Sequence, residues 1–523
     1  MNQAPMQFTL LTNHEMKKSI LKFSVYATLL FTVSASLRVL AQTPARNNPA
    51  SIDKITKALI DVESNMDSLR FHRIYISAMG YSNPDVLNQY ESWFKKYPQN
   101  ANIPLAIGTV FYGRTMPEAK EFLLKAAAMN PENAKVWFML ASDAGIRGQN
   151  DLLSEYLRKA TSAEPSNAIY AYAYAQSFEK ADRNIYKDKV FDFVKRFPET
   201  ESGAWALYGL ATSATDPEEK ILYYEELRKL YPPQKFKWTA SRLDGLVDTY
   251  LQTDPEKALT VIREVGGGGY WDNKKQVAEL FIEINKLEQD KNYTEAIVKL
   301  DKLKISGSND INDLIALKKA FLRDKIGDVK SAYDSLFLRF AELPTDALYN
   351  ALESYGKKMD KDKEQVAKDI ETIRMGKATV AYPFKLGLYT SKDTLNLSVL
   401  KGKVVLLTFW FPACTPCLAE FPHFQKVVDS FKGDSLVYIG INVLPSQDGF
   451  VLPFMENRKF SFIPLRGSVS FARQNYGVQG QPENFLIDKD GKIVFKDFRI
   501  DNSNHRTLEL MISSLLEKEP AKE

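Results

Sequence analysis

Cysteine is nearly absent. The 523-residue chain has two, Cys414 and Cys417, three positions apart. A protein stapled by disulfides carries more cysteines at wide spacing, and a bridge across a two-residue loop barely restrains an unfolded chain. The pair therefore reads as chemical rather than structural. Histidine is also scarce, at four residues, so a tetrahedral zinc site is not supported: it needs four ligands, and after signal removal only His72, His423 and His505 remain beside the cysteine pair. Neither sign of charge dominates, with 69 Lys+Arg against 65 Asp+Glu and a net +4. Lys17, Lys18, Lys22 and Arg38 against Glu15 place 4 − 1 = +3 of that in residues 1–41, which leaves 4 − 3 = +1 for the rest. With no basic block, nothing argues for nucleic acid as a partner.

What is present first is an export signal. Met16 to Lys22 is a basic segment, Phe23 to Leu37 a mostly apolar stretch of 15 residues, and Val39-Leu40-Ala41 a small-residue cleavage site. The stretch falls short of the roughly 20 residues of a membrane span. Residues 1–41 are read as a signal peptide, with Met16 as an alternative start, and 42–52 as a linker. No Cys lies near the cleavage site to carry a lipid anchor. The expectation is an exported, periplasmic protein of a bacterial envelope, soluble after cleavage. The remaining length exceeds the ~250–300 residues of a single core, so at least two domains are expected.

The first of them repeats. Pro98, Pro131, Pro165, Pro198 and Pro232 are spaced by 33 or 34 residues, and Trp137, Trp205, Trp238 and Trp271 keep the same beat. In one unit Trp137, Leu140 and Ala141 share a helix face, Gly148 marks the turn, Ala160 falls on a second helix and Pro165 closes the unit. A period near 34 resembles tetratricopeptide repeats, clearly over about residues 85–290 and degenerately to about 372. Residues 53–374 are read as an all-α solenoid. The tryptophans read as packing knobs in its core, not as a ligand cage. Gly266 to Gly269 is a break rather than a phosphate loop, because no Lys-Ser/Thr follows. Such arrays hold peptides or proteins on a curved surface; a plain spacer is the alternative.

From residue 375 to 523 the pattern becomes α/β. Phe384–Tyr389 and Thr394–Leu397 suit a hairpin, and Val404–Phe411 is a continuous apolar run suited to a doubly buried strand. Leu436–Asn442 is a second strand. Asn484–Ile487 and Ile493–Phe495 flank the turn Asp488–Gly491, and helical text covers 414–431, 450–459, 468–476 and 506–516. Cys414 then sits where a buried strand hands over to a helix. Unpaired amides and the dipole there favour a thiolate. Cys417 lies one turn on, placed to resolve a mixed disulfide, and Pro416 occupies a first-turn position whose N–H would be unpaired anyway.

The stretch Leu400-Lys-Gly-Lys-Val-Val-Leu-Leu, Phe409-Trp410, Cys414-Thr415-Pro416-Cys417, Glu420 and Gly477-Val-Gln-Gly-Gln481-Pro482 resembles the TlpA/ResA-like thiol-disulfide oxidoreductases of the thioredoxin superfamily over about residues 380–520. The resemblance implies a thioredoxin-like domain and an enzyme that reduces or isomerises protein disulfides. It implies a reversible Cys414–Cys417 disulfide with Cys414 as nucleophile and Cys417 as resolving thiol. It further implies a cis Gln481–Pro482 bond whose backbone meets substrate, and no cofactor or metal. Trp410, Thr415, Pro416, Glu420 and Gln481 support the site. Implied partners are protein thiols and disulfides, a membrane electron-donor protein and a protein held on the repeats. The sequence departs from the family at Thr408, where a buried Asp is usual, and at Ala413, where Trp is common. Proton transfer at Cys417 is thereby left to water or Glu420, although Glu420 and His423 both read more simply as solvated helix residues. A peroxiredoxin motif fails, because positions +4 and +7 from Pro412 are Pro416 and Ala419. The non-catalytic alternative is a binding scaffold with an accessory thioredoxin-like domain.

Overall fold

The computed structural model describes residues 49–517 apart from Lys180, Gly267, residues 304–308 and Ser503; the signal segment lies outside the described residues. One unit ends at Asp61 and the second runs from Val62 onward. A helix spans Pro49–Ser64.

From Leu69 to Lys377 every element among the described residues is a helix. Helices pack in consecutive pairs, such as Asn102–Tyr112 with Ala119–Met129 and Ala134–Ile146 with Asn150–Ala163. Side chains of Asn83, Asn133, Asn167, Asp182, Thr200 and Asp216 cap helix N-termini by accepting backbone N–H groups. The recurring prolines work at the other end. Pro98, Pro131, Pro165, Pro198 and Pro232 each follow the last helical residue by two positions. The intervening C-caps, Tyr97, Asn130, Glu164, Phe197 and Tyr231, share φ between −127° and −139° and ψ between 59° and 83°. A proline disfavours the α conformation in the residue before it. One residue type thus ends five helices at one angle, and that angle sets the repeat. Where glycines replace this device, the backbone turns through positive φ at Gly266 (80°), Gly268 (141°) and Gly269 (39°), a region open to glycine.

The tryptophan stripe is a correction. Of the four only Trp271 is buried, and Trp137, Trp205 and Trp238 are half-buried. Leu140, Ala141, Ala160, Leu207 and Leu210 fill the interior instead. Trp137 lies at the rim, where its Nε1 donates to Pro131 O (2.7 Å) and Lys159 covers its ring at 4.4 Å. An indole offers a broad apolar face and one polar edge, and a rim position serves both.

From Thr379 onward a six-stranded mixed sheet forms: β1 (Thr379–Val380), β4 (Val404–Trp410), β5 (Leu436–Asn442), β6 (Ile463–Arg466), β7 (Glu483–Ile487) and β8 (Lys492–Lys496), in the order β1-β8-β7-β4-β5-β6. A separate hairpin joins β2 (Lys385–Gly387) to β3 (Thr394–Asn396). β4 is central, parallel to β5 and antiparallel to β7, and all seven of its residues are buried. Alternate side chains go to opposite faces. Leu406, Trp410 and Leu486 meet α1 (Thr415–Val428), α2 (Asp448–Arg458) and α4 (His505–Glu517) on one face. Val405, Leu407, Phe409 and Phe485 meet α3 (Val469–Tyr476) on the other. The labels α1 to α4 number only the helices that pack on this sheet. β6 is absent from the sequence reading because Pro464 interrupts its short apolar text; its edge position tolerates a residue without an N–H.

The helical region touches the α/β part at two patches far apart in sequence. At the first, Pro117 meets Gly449, the Arg147 guanidinium lies 4.7 Å from the Phe450 ring, and Asn457 Nδ2 donates to Arg147 O at 3.0 Å. At the second, Arg374 lies 4.8 Å from the Phe495 ring, Arg506 pairs with Asp346 at 3.1 Å, and Leu343 packs on the core beneath α1. Burial lowers the Arg374 pKa to about 10.

Candidate functional site

β4 ends at Trp410, and Phe411-Pro412-Ala413 carries the chain over to α1. Cys414 is the N-cap of α1, with φ −80° and ψ 94°, and its Sγ accepts the Cys417 N–H at 3.3 Å. The position is that of an Asp or Ser cap, with sulfur as the acceptor. An anionic sulfur there gains from the helix dipole and its open amides. Cys414 and Cys417 form a disulfide, with Cα atoms 5.2 Å apart, and each is 1% exposed. Thr415 and Pro416 between them face solvent. Behind the pair Trp410 is fully buried, edge-on to Phe421 at 4.9 Å and against Phe454 and Phe462. Gly440 on β5 makes room for this cluster: a Cβ there would lie 2.7 Å from Phe462 and 3.0 Å from Trp410 Nε1.

The Gln481–Pro482 peptide is cis, Pro482 is buried and Gln481 half-buried. β7 begins at the next residue, with Glu483 opposite Phe409. Continuing that register by one puts Pro482 beside Trp410, at the end of the strand from which the cysteine loop departs.

Glu420 is not a solvated residue. It is 6% exposed, one turn beyond Cys417 on α1. Its Oε1 accepts the Ile500 N–H and its Oε2 the Asn484 Nδ2–H, both at 3.0 Å. Asn484 Oδ1 in turn accepts the Thr408 hydroxyl at 2.9 Å. Where the resemblance expects a buried acid on β4, the chain has Thr408 joined through Asn484 to a buried acid on α1. Burial raises the Glu420 pKa, partly opposed by its two hydrogen bonds. The sequence reading passed over Asn484, whose signal is an amide inside an otherwise apolar strand. His423 is likewise not a free surface side chain. Its Nδ1 lies 2.8 Å from His505 Nε2, while His72 lies elsewhere between Tyr90 and Met66. Among the described residues no three His, Cys, Asp or Glu side chains converge as metal ligands, and no helix is long and apolar enough to cross a membrane.

Glu483 follows the cis-proline directly. Burial, then the neighbouring Asp497 carboxyl, raise its pKa to about 7. A carboxyl whose folded pKa lies above its unfolded value stabilises below the unfolded pKa, and that contribution is lost as pH rises through the folded one. The Glu483→Gln protein is therefore expected to gain melting temperature over wild type at pH 8 and to gain little at pH 4; equal shifts at both would contradict the burial cause.

A central β4 flanked by a parallel and an antiparallel neighbour, with its helix opening on a disulfide, is a thioredoxin-like fold. Residues 379–496 match the model of the AhpC/TSA family. The chain is similar to the thiol-disulfide oxidoreductase ResA of Bacillus subtilis, at 33% identity over 105 residues, 20% of this chain and 58% of that protein. It is similar to the sporulation thiol-disulfide oxidoreductase A of the same organism, at 30% over 95 residues, 18% of this chain and 58% of that protein. The chain thus spans under two thirds of the curated relatives it matches. Among solved structures, the thioredoxin domain of a thiol-disulfide oxidoreductase from Bacteroides vulgatus aligns at 25% identity, covering 26% of this chain and 96% of that one, with a TM-score of 0.23.

Proposed function

We propose that this protein is an exported thiol-disulfide oxidoreductase that reduces or isomerises protein disulfides in the bacterial periplasm. The observation that carries the reading is the placement of Cys414 Sγ at the N-cap of α1, with Cys417 one turn on and bonded to it. In the reducing direction the Cys414 thiolate attacks one sulfur of a substrate disulfide. The substrate S–S bond breaks, a Cys414–substrate disulfide forms, and the departing sulfur leaves as a thiolate that takes up a proton. Cys417 gives up its proton and attacks Cys414 Sγ; the intramolecular disulfide forms and the second substrate sulfur leaves. The substrate gains two electrons and two protons; the cysteine pair gives up two electrons and the Cys417 proton, and solvent supplies the other proton. Glu420 shares the buried face of α1 with Cys417 at a spacing of three, which supports it as the base for that proton. A membrane electron-donor protein then recharges the pair by the same exchange in reverse. The cis Gln481–Pro482 bond presents backbone to the substrate strand, and the helical array, in the manner of tetratricopeptide repeats, holds the substrate protein.

Cys417→Ser removes the resolving thiol and leaves the nucleophile. Expressed in a bacterial periplasm, it should accumulate mixed disulfides with substrate proteins, roughly tenfold or more above Cys414→Ser on non-reducing gels. Mass spectrometry of the adducts names the substrates. Equal trapping by the two variants, or none by either, removes the reading.

A further inference from the structure

Ala413 stands between the end of β4 and the N-cap cysteine, and its amide is not held by its own loop. The N–H donates to Gln447 Oε1 at 2.9 Å, a side chain 4% exposed and 34 positions away. Gln447 ends the 3₁₀ turn Pro445–Gln447, and its N–H donates to Leu444 O at 2.9 Å. The next residue, Asp448, opens α2 and is fixed by a polar knot. Asn442 Nδ2 donates to the Tyr389 hydroxyl (2.8 Å) and to Asp448 Oδ1 (2.9 Å), and Arg466 pairs with Asp448 Oδ2 at 2.5 Å. Gln447 is thus placed by the start of α2.

α2 is in turn held from outside by the helical array at both of its ends. At its first turn Gly449 lies under Pro117, where a Cβ would come to 2.9 Å from Pro117 Cγ. One residue on, the Phe450 ring takes the Arg147 guanidinium; near the last turn Asn457 donates to Arg147 O; at the end Arg458 lies over Gly148, whose added Cβ would lie 2.8 Å from Arg458 Cγ. Arg147 is itself anchored to buried Asp143 at 2.7 Å and to Pro117 O at 2.9 Å. Glycine is a poorer helix former than alanine. Gly449 adopts no positive φ that would call for glycine, and what its missing side chain admits is the array.

We propose that Gln447 is a positioning residue for Cys414, and that the array corners at Pro117 and Arg147–Gly148 hold it in place by clamping α2. The inference rests on the redox reading above. Its physical content is the alignment of one sulfur. The Ala413 tether keeps Cys414 at the N-cap, where Sγ meets the open amides of α1. Loosening the tether averages that alignment away and disfavours the thiolate.

The test uses the full-length chain with its disulfide reduced, and measures the rate of Cys414 alkylation by iodoacetamide against pH, with adducts assigned by mass spectrometry. Gln447→Met keeps the volume and removes the acceptor. Gly449→Leu keeps a good helix former and cannot fit against Pro117; Asn457→Ala serves if that variant does not fold. Both are expected to raise the alkylation midpoint, by about half a pH unit or roughly threefold in thiolate at neutral pH. The double variant is expected to shift no further than Gln447→Met alone, since both changes act through one hydrogen bond. An unchanged midpoint in Gly449→Leu, or additive shifts, would overturn the coupling. Alkylation needs no protein substrate, so failure of Cys417→Ser to trap adducts and failure of these variants to shift the midpoint are separate outcomes, the first removing the oxidoreductase reading and the second this inference.

Discussion

Glu420→Gln should slow the resolving step by about a hundredfold, within the usual range for losing a positioned base, and should make the protein more stable at neutral pH. The two effects have one cause. The carboxyl is buried and its pKa is raised. Its favourable contribution is fully present below the unfolded carboxyl pKa and is lost as pH rises through the folded value, where the charged form is penalised. The amide does not titrate, so the gain of the variant over wild type grows from pH 4 to pH 8. Rates of mixed-disulfide resolution and denaturant unfolding at both pH values check the pair of outcomes. The amide still accepts from Ile500, but its NH₂ faces Asn484 Nδ2, and Asn484 must turn over and give up its bond to Phe498 O. That reorganisation takes back part of the stability gain. A variant that loses stability at neutral pH while keeping its rate would show that the carboxylate is structural.

Trp410→Ala is expected to cost about 3–5 kcal/mol, the range for truncating a large buried aromatic. The indole is 0% exposed and touches three phenylalanine rings. Trp410→Phe separates ring from N–H. The indole Nε1 is buried without a hydrogen-bond partner, so the smaller ring loses packing volume but no polar contact, and its cost should be well below that of alanine. Thermal unfolding of the full chain followed by near-ultraviolet dichroism reads both. If phenylalanine costs as much as alanine, the N–H has a role that the packing does not reveal.

Much of this structure was legible in the residue order, where the cause is local. The proline beat could be read because each proline dictates the conformation of the residue before it. β4 could be read because a strand buried on both faces needs no alternation. Cys414 could be placed because the end of that strand and the start of a helix meet there in sequence. What escaped depends on distant partners. Thr408 and Asn484 are 76 positions apart, and only pairing of β4 with β7 turns them into one relay to Glu420. On α1 a glutamate looks the same whether its face meets water or the segment around Ile500. The tryptophans misled for a related reason: periodicity shows that a residue recurs against a neighbour, not how deep the contact lies. Gln447 carried no signal, since a glutamine in a loop is ordinary until an amide from another strand end is found on it.

The two patches where the helices meet the α/β part have a consequence for how this chain can change. An open solenoid gains or loses a unit freely, because each unit touches only its neighbours. Here the stretch between Gly148 and Asp346 is moored at both ends, to Arg458 and to Arg506. Adding one unit of about 34 residues would move one mooring by the advance and rotation of a whole repeat and break one of the two contacts. The number of units between Gly148 and Asp346 is therefore constrained by the α/β domain that both ends touch.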